Sequence, residues 1–182
     1  MMDGLLLDQV SQLLEMWGDS LGTVSVCEFA RKLAAERRFA KALDVVAWLK
    51  DKRYLSDDEL DAMVALEISC YRHQRNFKKA IQYYQSLLDE DGCLFFPGRR
   101  TYTALMQTQA AQARGRDMNT DGVWETFDTI ISDPQATLDA RAVAVIMGTC
   151  QTLGDVKYVW ETVMEISKRC VQITSFIEFS KL

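Results

Sequence analysis

The residues of this chain best suited to chemistry are clustered cations. Arg37 and Arg38, then Arg72, Arg75, Lys78 and Lys79, then Arg114 and Arg116 fall in short breaks between apolar helical stretches. Guanidinium and ammonium groups gathered this way suit phosphate oxygens, or the carboxylates of an acidic partner, through charge-assisted hydrogen bonds. The carboxylates gather at other breaks: Asp51, Asp57 and Asp58, then Asp89, Glu90 and Asp91, then Asp133 and Asp139. If the helices pair and stack, the basic breaks share one edge and the acidic breaks share the other. A net charge of −5 then conceals one basic edge able to follow a phosphate backbone. The competing reading is that turns are merely polar; Gly154-Asp155 breaks the sorting.

Other reactive residue types are present without the spacing that chemistry needs. Asp57-Asp58-Glu59 and Asp89-Glu90-Asp91 are carboxylate clusters, but both fall at expected surface connections. The five cysteines, Cys27, Cys70, Cys93, Cys150 and Cys170, include no CxxC pair, and their nearest neighbours stand 20 residues apart. The single histidine, His73, cannot complete a zinc set by local spacing. Buried thiols in a reducing compartment are the expectation. His73 stands among Arg72, Gln74 and Arg75 and reads as a solvated turn residue. No GxGxxG, phosphate-loop lysine or GxSxG occurs. The chain is therefore expected to be no enzyme and to need no cofactor or metal.

The elements that must position these cations are helical. With 182 residues, 48% of them hydrophobic, there is enough chain to bury a core, and only two prolines interrupt it. Strand-like alternation is hard to find, so an all-α fold is expected. Leu5, Leu6, Val10, Leu13, Leu14 and Trp17 form a helical stripe over 3–17, which reads as a cap. Helices follow at about 24–36 and 39–52, then from the capping box Ser56-Asp57-Asp58-Glu59, then at 77–89. Thr101–Ala113, Val123–Ile131, 138–152 and 156–169 complete the series, with Gly154-Asp155 read as a turn. Trp17, Trp48, Trp124 and Trp160 occupy apolar helical places and are expected in the core. Aligned at Ala42, Ala80, Val123 and Val159, one pattern recurs after 38, 43 and 36 residues. Periods in that range mark a solenoid of helix pairs, an architecture used for binding.

Read in this register, the units resemble pentatricopeptide repeats. Thr101-Tyr102-Thr103-Ala104-Leu105-Met106 is similar to the opening of that family's first helix. Gly154 followed by Val156-Lys157-Tyr158-Val159-Trp160 is similar to its turn and second helix. Leu43, Ile81, Trp124 and Trp160 fill the large apolar place after the small residue. The first-helix tryptophan–leucine–glycine–tyrosine pattern of tetratricopeptide repeats is not seen. The resemblance implies a right-handed α-solenoid of about four helix-turn-helix repeats with an N-terminal capping helix. Its expected parts are the cap over 1–23, helix pairs at about 24–52, 57–90, 99–132 and 137–169, and a tail or partial helix over 170–182. It further implies single-stranded RNA as ligand, read from Cys27, Ala65, Thr103 and Ala144. Only Thr103 among these carries a hydroxyl or amide, so three of four units lack a base-reading side chain. The expectation is organellar RNA metabolism or ribonucleoprotein assembly, contacted through Thr103 and the basic turns, without strong base readout. The alternative is a protein scaffold that holds a helix or peptide, with Leu94, Phe95 and Phe96 as an apolar flank.

No stretch reaches the ~20 apolar residues that would span a bilayer, so membrane insertion is not expected. The first positive residue is Arg31, which matches neither a secretory signal nor an organellar transit peptide. A mitochondrial or chloroplast address would require a transit peptide already removed. The terminal Ser180-Lys181-Leu182 spells a peroxisomal address as the alternative. A stack with an exposed end could also pair with a second copy as a homodimer.

Overall fold

The computed structural model describes residues 12, 14–16, 20–89, 95–114, 119–133 and 137–179, the side chains of 89 and 169–179 excepted. All regular secondary structure among these residues is helical. The chain forms two compact units, Met1–Pro97 and Gly98–Leu182.

The first unit contains α1 (Thr23–Ala35), α2 (Phe39–Lys52), α3 (Asp57–His73) and α4 (Phe77–Asp89). Each helix packs on the next, and α1 also packs on α3. Spacings of three and four put Val26, Ala30 and Leu33 of α1 against Ala42, Val45, Val46 and Leu49 of α2. Leu14, from the expected cap, joins that core; Leu5, Leu6, Val10, Leu13 and Trp17 lie outside the described residues. The Ser56 capping box forms: Glu59 N–H donates to Ser56 Oγ at 3.4 Å, and Ser56 N–H donates to Glu59 Oε2 at 3.0 Å. Helix α3 has an acidic first turn and a basic last turn, which complements its dipole.

The second unit contains α5 (Arg99–Ala113), α6 (Asp121–Ser132), α7 (Ala140–Met147) and α8 (Leu153–Phe179). The packing order repeats: each helix on the next, and α5 on α7. Phe127 is fully buried at its centre, with Trp124 and Tyr158 edge-on to its ring at 6.2 and 6.5 Å. Gly122 admits the Gln109 side chain, whose Nε2 would lie 3.2 Å from an added Cβ. Gln109 Oε1 in turn accepts from Thr126 Oγ1 at 3.0 Å, one helical turn along α6.

Several boundaries differ from those the periodicity predicts. Helix α7 stops at Met147, not near 152, because Gly148 serves as its C-cap and Thr149 Oγ1 donates to Ile146 O at 2.7 Å. Helix α8 begins before Gly154, which lies inside its first turn. Asp155 N–H donates to Thr152 Oγ1 at 3.1 Å, and Thr152 N–H donates to Asp155 Oδ2 at 2.9 Å, a reciprocal cap that carries the glycine into the helix. The same helix runs through 169 to Phe179 without a break. Trp160 is not a core residue: it is 59% exposed, while Trp48 and Trp124 are partly buried. Phe95 is buried and Phe96 exposed, whereas Leu94 lies outside the described residues.

Candidate anion-binding edge

The two turns inside the first unit are built alike. At the end of α1, Arg37 N–H donates to Ala34 O at 3.0 Å and Arg38 N–H donates to Leu33 O at 2.8 Å. At the end of α3, Arg75 N–H donates to Arg72 O and Asn76 N–H to Tyr71 O, both at 2.9 Å. These are two Schellman motifs in one register, 38 residues apart. Their left-handed residue is ordinarily glycine. Here it is arginine in both, with φ of 63° at Arg37 and 59° at Arg75. A side chain in that conformation costs about 1–2 kcal/mol.

The turns are also neighbours. The His73 ring, at the end of α3, stacks on Phe39, at the start of α2, with centroids 5.4 Å apart and planes 2° from parallel. Arg37 is close enough to act electrostatically on that imidazole. Arg72 Nη2 stands 3.5 Å from His73 Nε2. Burial first, then the Arg72 and Arg37 charges, hold His73 below its ordinary range. Burial likewise lowers Arg72. On the flank, the Lys79 ammonium lies 4.7 Å from the Tyr71 ring centroid. Burial, then Glu67 and Cys70, push the Tyr71 phenol up. Arg38 Nε meets Glu36 at 3.5 Å, both well exposed, an ion pair of little strength. Among the described residues, Arg37, Arg75 and Lys78 form no ion pair, and all three are exposed.

Six of the nine cations and hydroxyls expected as contacts thus belong to the first unit: Arg37, Arg38, Arg72, Arg75, Lys78 and Lys79. Arg114 is the exposed C-cap of α5 in the second unit, and Arg116 lies outside the described residues. Thr103 is buried, and its Oγ1 donates to Arg99 O at 2.8 Å. Cys27 and Ala65 are buried as well, while Ala144 is exposed. Asp57 and Asp58, at the other end of α3, are exposed. Burial pushes the Cys70 thiol up to about 11, as a core thiol should behave.

Sequence reading missed a polar cluster shared by α2, α3 and α4. Lys50 Nζ of α2 donates to Glu67 Oε2 of α3 at 3.0 Å and to Tyr83 OH of α4 at 2.7 Å. Tyr83 OH donates to the same Glu67 oxygen, and the ammonium lies 5.1 Å from the tyrosine ring centroid. Glu67 is only 7% exposed. The available signal was a carboxylate at i+4 from Met63 and i+3 from Val64, on a face otherwise apolar. No protein-family model matches this chain, and no curated protein matches it. No helix of the described residues is long and apolar enough to cross a membrane.

Proposed function

We propose that this chain is a non-catalytic helical-repeat protein of pentatricopeptide-like design that binds single-stranded RNA through the basic turn edge of its first unit. It acts in organellar RNA metabolism or in assembly of a ribonucleoprotein. The observation that carries this reading is the pair of matching left-handed arginine turns. Strain accepted twice, where glycine would relieve it, fits a demand for cations at those places. The first-on-third helix packing in each unit is what a right-handed stack of helix pairs requires, and we read the units as its repeats. With Thr103 buried, contact falls on phosphates and not on base edges, so binding is strongly salt-dependent and nearly sequence-blind.

The test is binding of a single-stranded oligoribonucleotide across a salt series. Affinity should fall steeply with salt, and replacing Arg37, Arg75 and Lys78 together by glutamate should weaken it at least tenfold at low salt. Binding that ignores both salt and the triple replacement refutes the reading. A second reading, a scaffold for a protein helix, is favoured by one observation on α8: Leu153, Trp160 and Met164 share a face and are 88%, 59% and 41% exposed. A protein partner captured through that face, with no RNA binding, would replace the first reading.

A further inference from the structure

We infer that His73 is itself a phosphate contact on this edge, and that an RNA backbone bound there brings a solvent proton onto its imidazole. The inference rests on the reading of the edge as an RNA-binding surface. It makes that binding pH-dependent near neutrality.

The geometry supplies the switch. A guanidinium has donors and no acceptor, so the Arg72–His73 approach leaves the imidazole Nε2 only the role of acceptor. A neutral ring with its hydrogen on Nδ1 meets that role. Protonating Nε2 in the free protein would set one cation against another at 3.5 Å and add the Arg37 charge to the same neighbourhood. An anionic oxygen arriving at this place reverses the balance. Arg72, Arg37 and an imidazolium can all donate to it, and the proton that Nε2 gains comes from water.

The surroundings favour that reversal. Phe39 of α2 holds the ring by its face, which leaves both nitrogens at the edge of the imidazole. A protonated ring over an aromatic face is also mildly favoured. No carboxylate is among the groups acting on His73; they are Arg72 on its own helix and Arg37 before α2. From α4, the Lys79 ammonium is directed at Tyr71. The nearest acidic neighbour in the first turn, Glu36, is already paired with Arg38. The anion that would draw a proton onto this ring must therefore come from outside.

His73 is the only histidine in the chain, so its ring proton resonances can be followed by NMR without assignment. The probe is single-stranded oligouridylate, whose base does not titrate in this range. Its saturation of the protein at low salt should raise the His73 midpoint, and affinity should be at least about threefold tighter at about pH 5.5 than at about pH 7.5. His73→Phe, which keeps the stack, should bind equally at both pH values, and His73→Gln should give the same flat profile. Oligouridylate binding with an unmoved His73 midpoint overturns this inference and leaves RNA binding standing. Absence of binding at either pH overturns both.

Discussion

The two units use the same packing order and differ in the polar groups they bury: mostly neutral hydroxyls in the second, a shared charge in the first. In the second, three buried hydroxyls are satisfied close at hand, and one neutral bond, Thr126 Oγ1 to Gln109 Oε1, crosses between helices. Thr103 and Thr108 donate to the carbonyls four residues back, Arg99 O and Ala104 O, and Thr149 donates to Ile146 O. In the first, buried charge is satisfied across helices, by Lys50, Glu67 and Tyr83 from α2, α3 and α4. A neutral bond between two helices holds them weakly; a buried charge shared by three helices fixes their register. The unit with the fixed register is also the one whose turns hold Arg37 and Arg75 in strained geometry. A cation at a fixed place is worth more to a ligand than one on a shifting frame, since less ordering is left to do on binding.

Four experiments would break or sharpen this contrast. Phe127→Ala empties the centre of the second unit and should cost about 3–5 kcal/mol by denaturant titration. The His73 resonances, in the first unit, should keep their native shifts in that variant; their collapse would show that the units do not stand apart. Glu67→Ala should act in the reverse sense, costing the first unit about 2–3 kcal/mol because it removes the carboxylate that both Lys50 and Tyr83 bond. A double replacement, Lys50→Met with Glu67→Leu, should recover most of that loss. If it recovers none, the cluster is not what fixes the register. Asp139→Ala removes the oxygen that accepts from Ala142 N–H at 2.8 Å and should cost about 1 kcal/mol. Arg75→Gly is the smallest. Relief of the left-handed strain outweighs the looser unfolded chain, for a net gain of about 0.5 kcal/mol with weaker RNA binding. A loss of stability there would remove the claim that arginine is costly in that turn.

Much of the helical order was legible from residue types. Apolar spacings of three and four mark α1 through α6 to within a residue or two, and Ser56 with Glu59 announces the start of α3. The errors cluster where a residue has two ordinary uses. Gly154 was read as a turn because glycine usually is one; the Thr152–Asp155 cap around it makes it helical instead. Tryptophan at an apolar helical place suggests core at Trp160; its face of α8 has no partner among the described residues. The left-handed arginines carried no signal, since the residue that marks such a turn is glycine. His73 is exposed, as its polar neighbours suggest, and its stack on Phe39 carried no signal because the two lie 34 residues apart. The Lys50–Glu67–Tyr83 cluster was hidden for the same reason, its members standing 17 and 16 positions apart. Resemblance to a repeat family pointed to a reading position at Thr103, and the burial of that hydroxyl moves attention from the bases to the backbone.

The cluster on Glu67 has a consequence for how the protein opens. Lys50 belongs to α2, Glu67 to α3 and Tyr83 to α4. Fraying of any one of the three helices therefore takes from each of the other two one of its two bonds in the cluster. Amide hydrogens of α2, α3 and α4 should exchange with solvent as one cooperative block, with α1 opening at lower free energy. The natural unit of local unfolding would then be α2, α3 and α4 together, and the smallest foldable fragment of the first unit would be one that keeps those three helices.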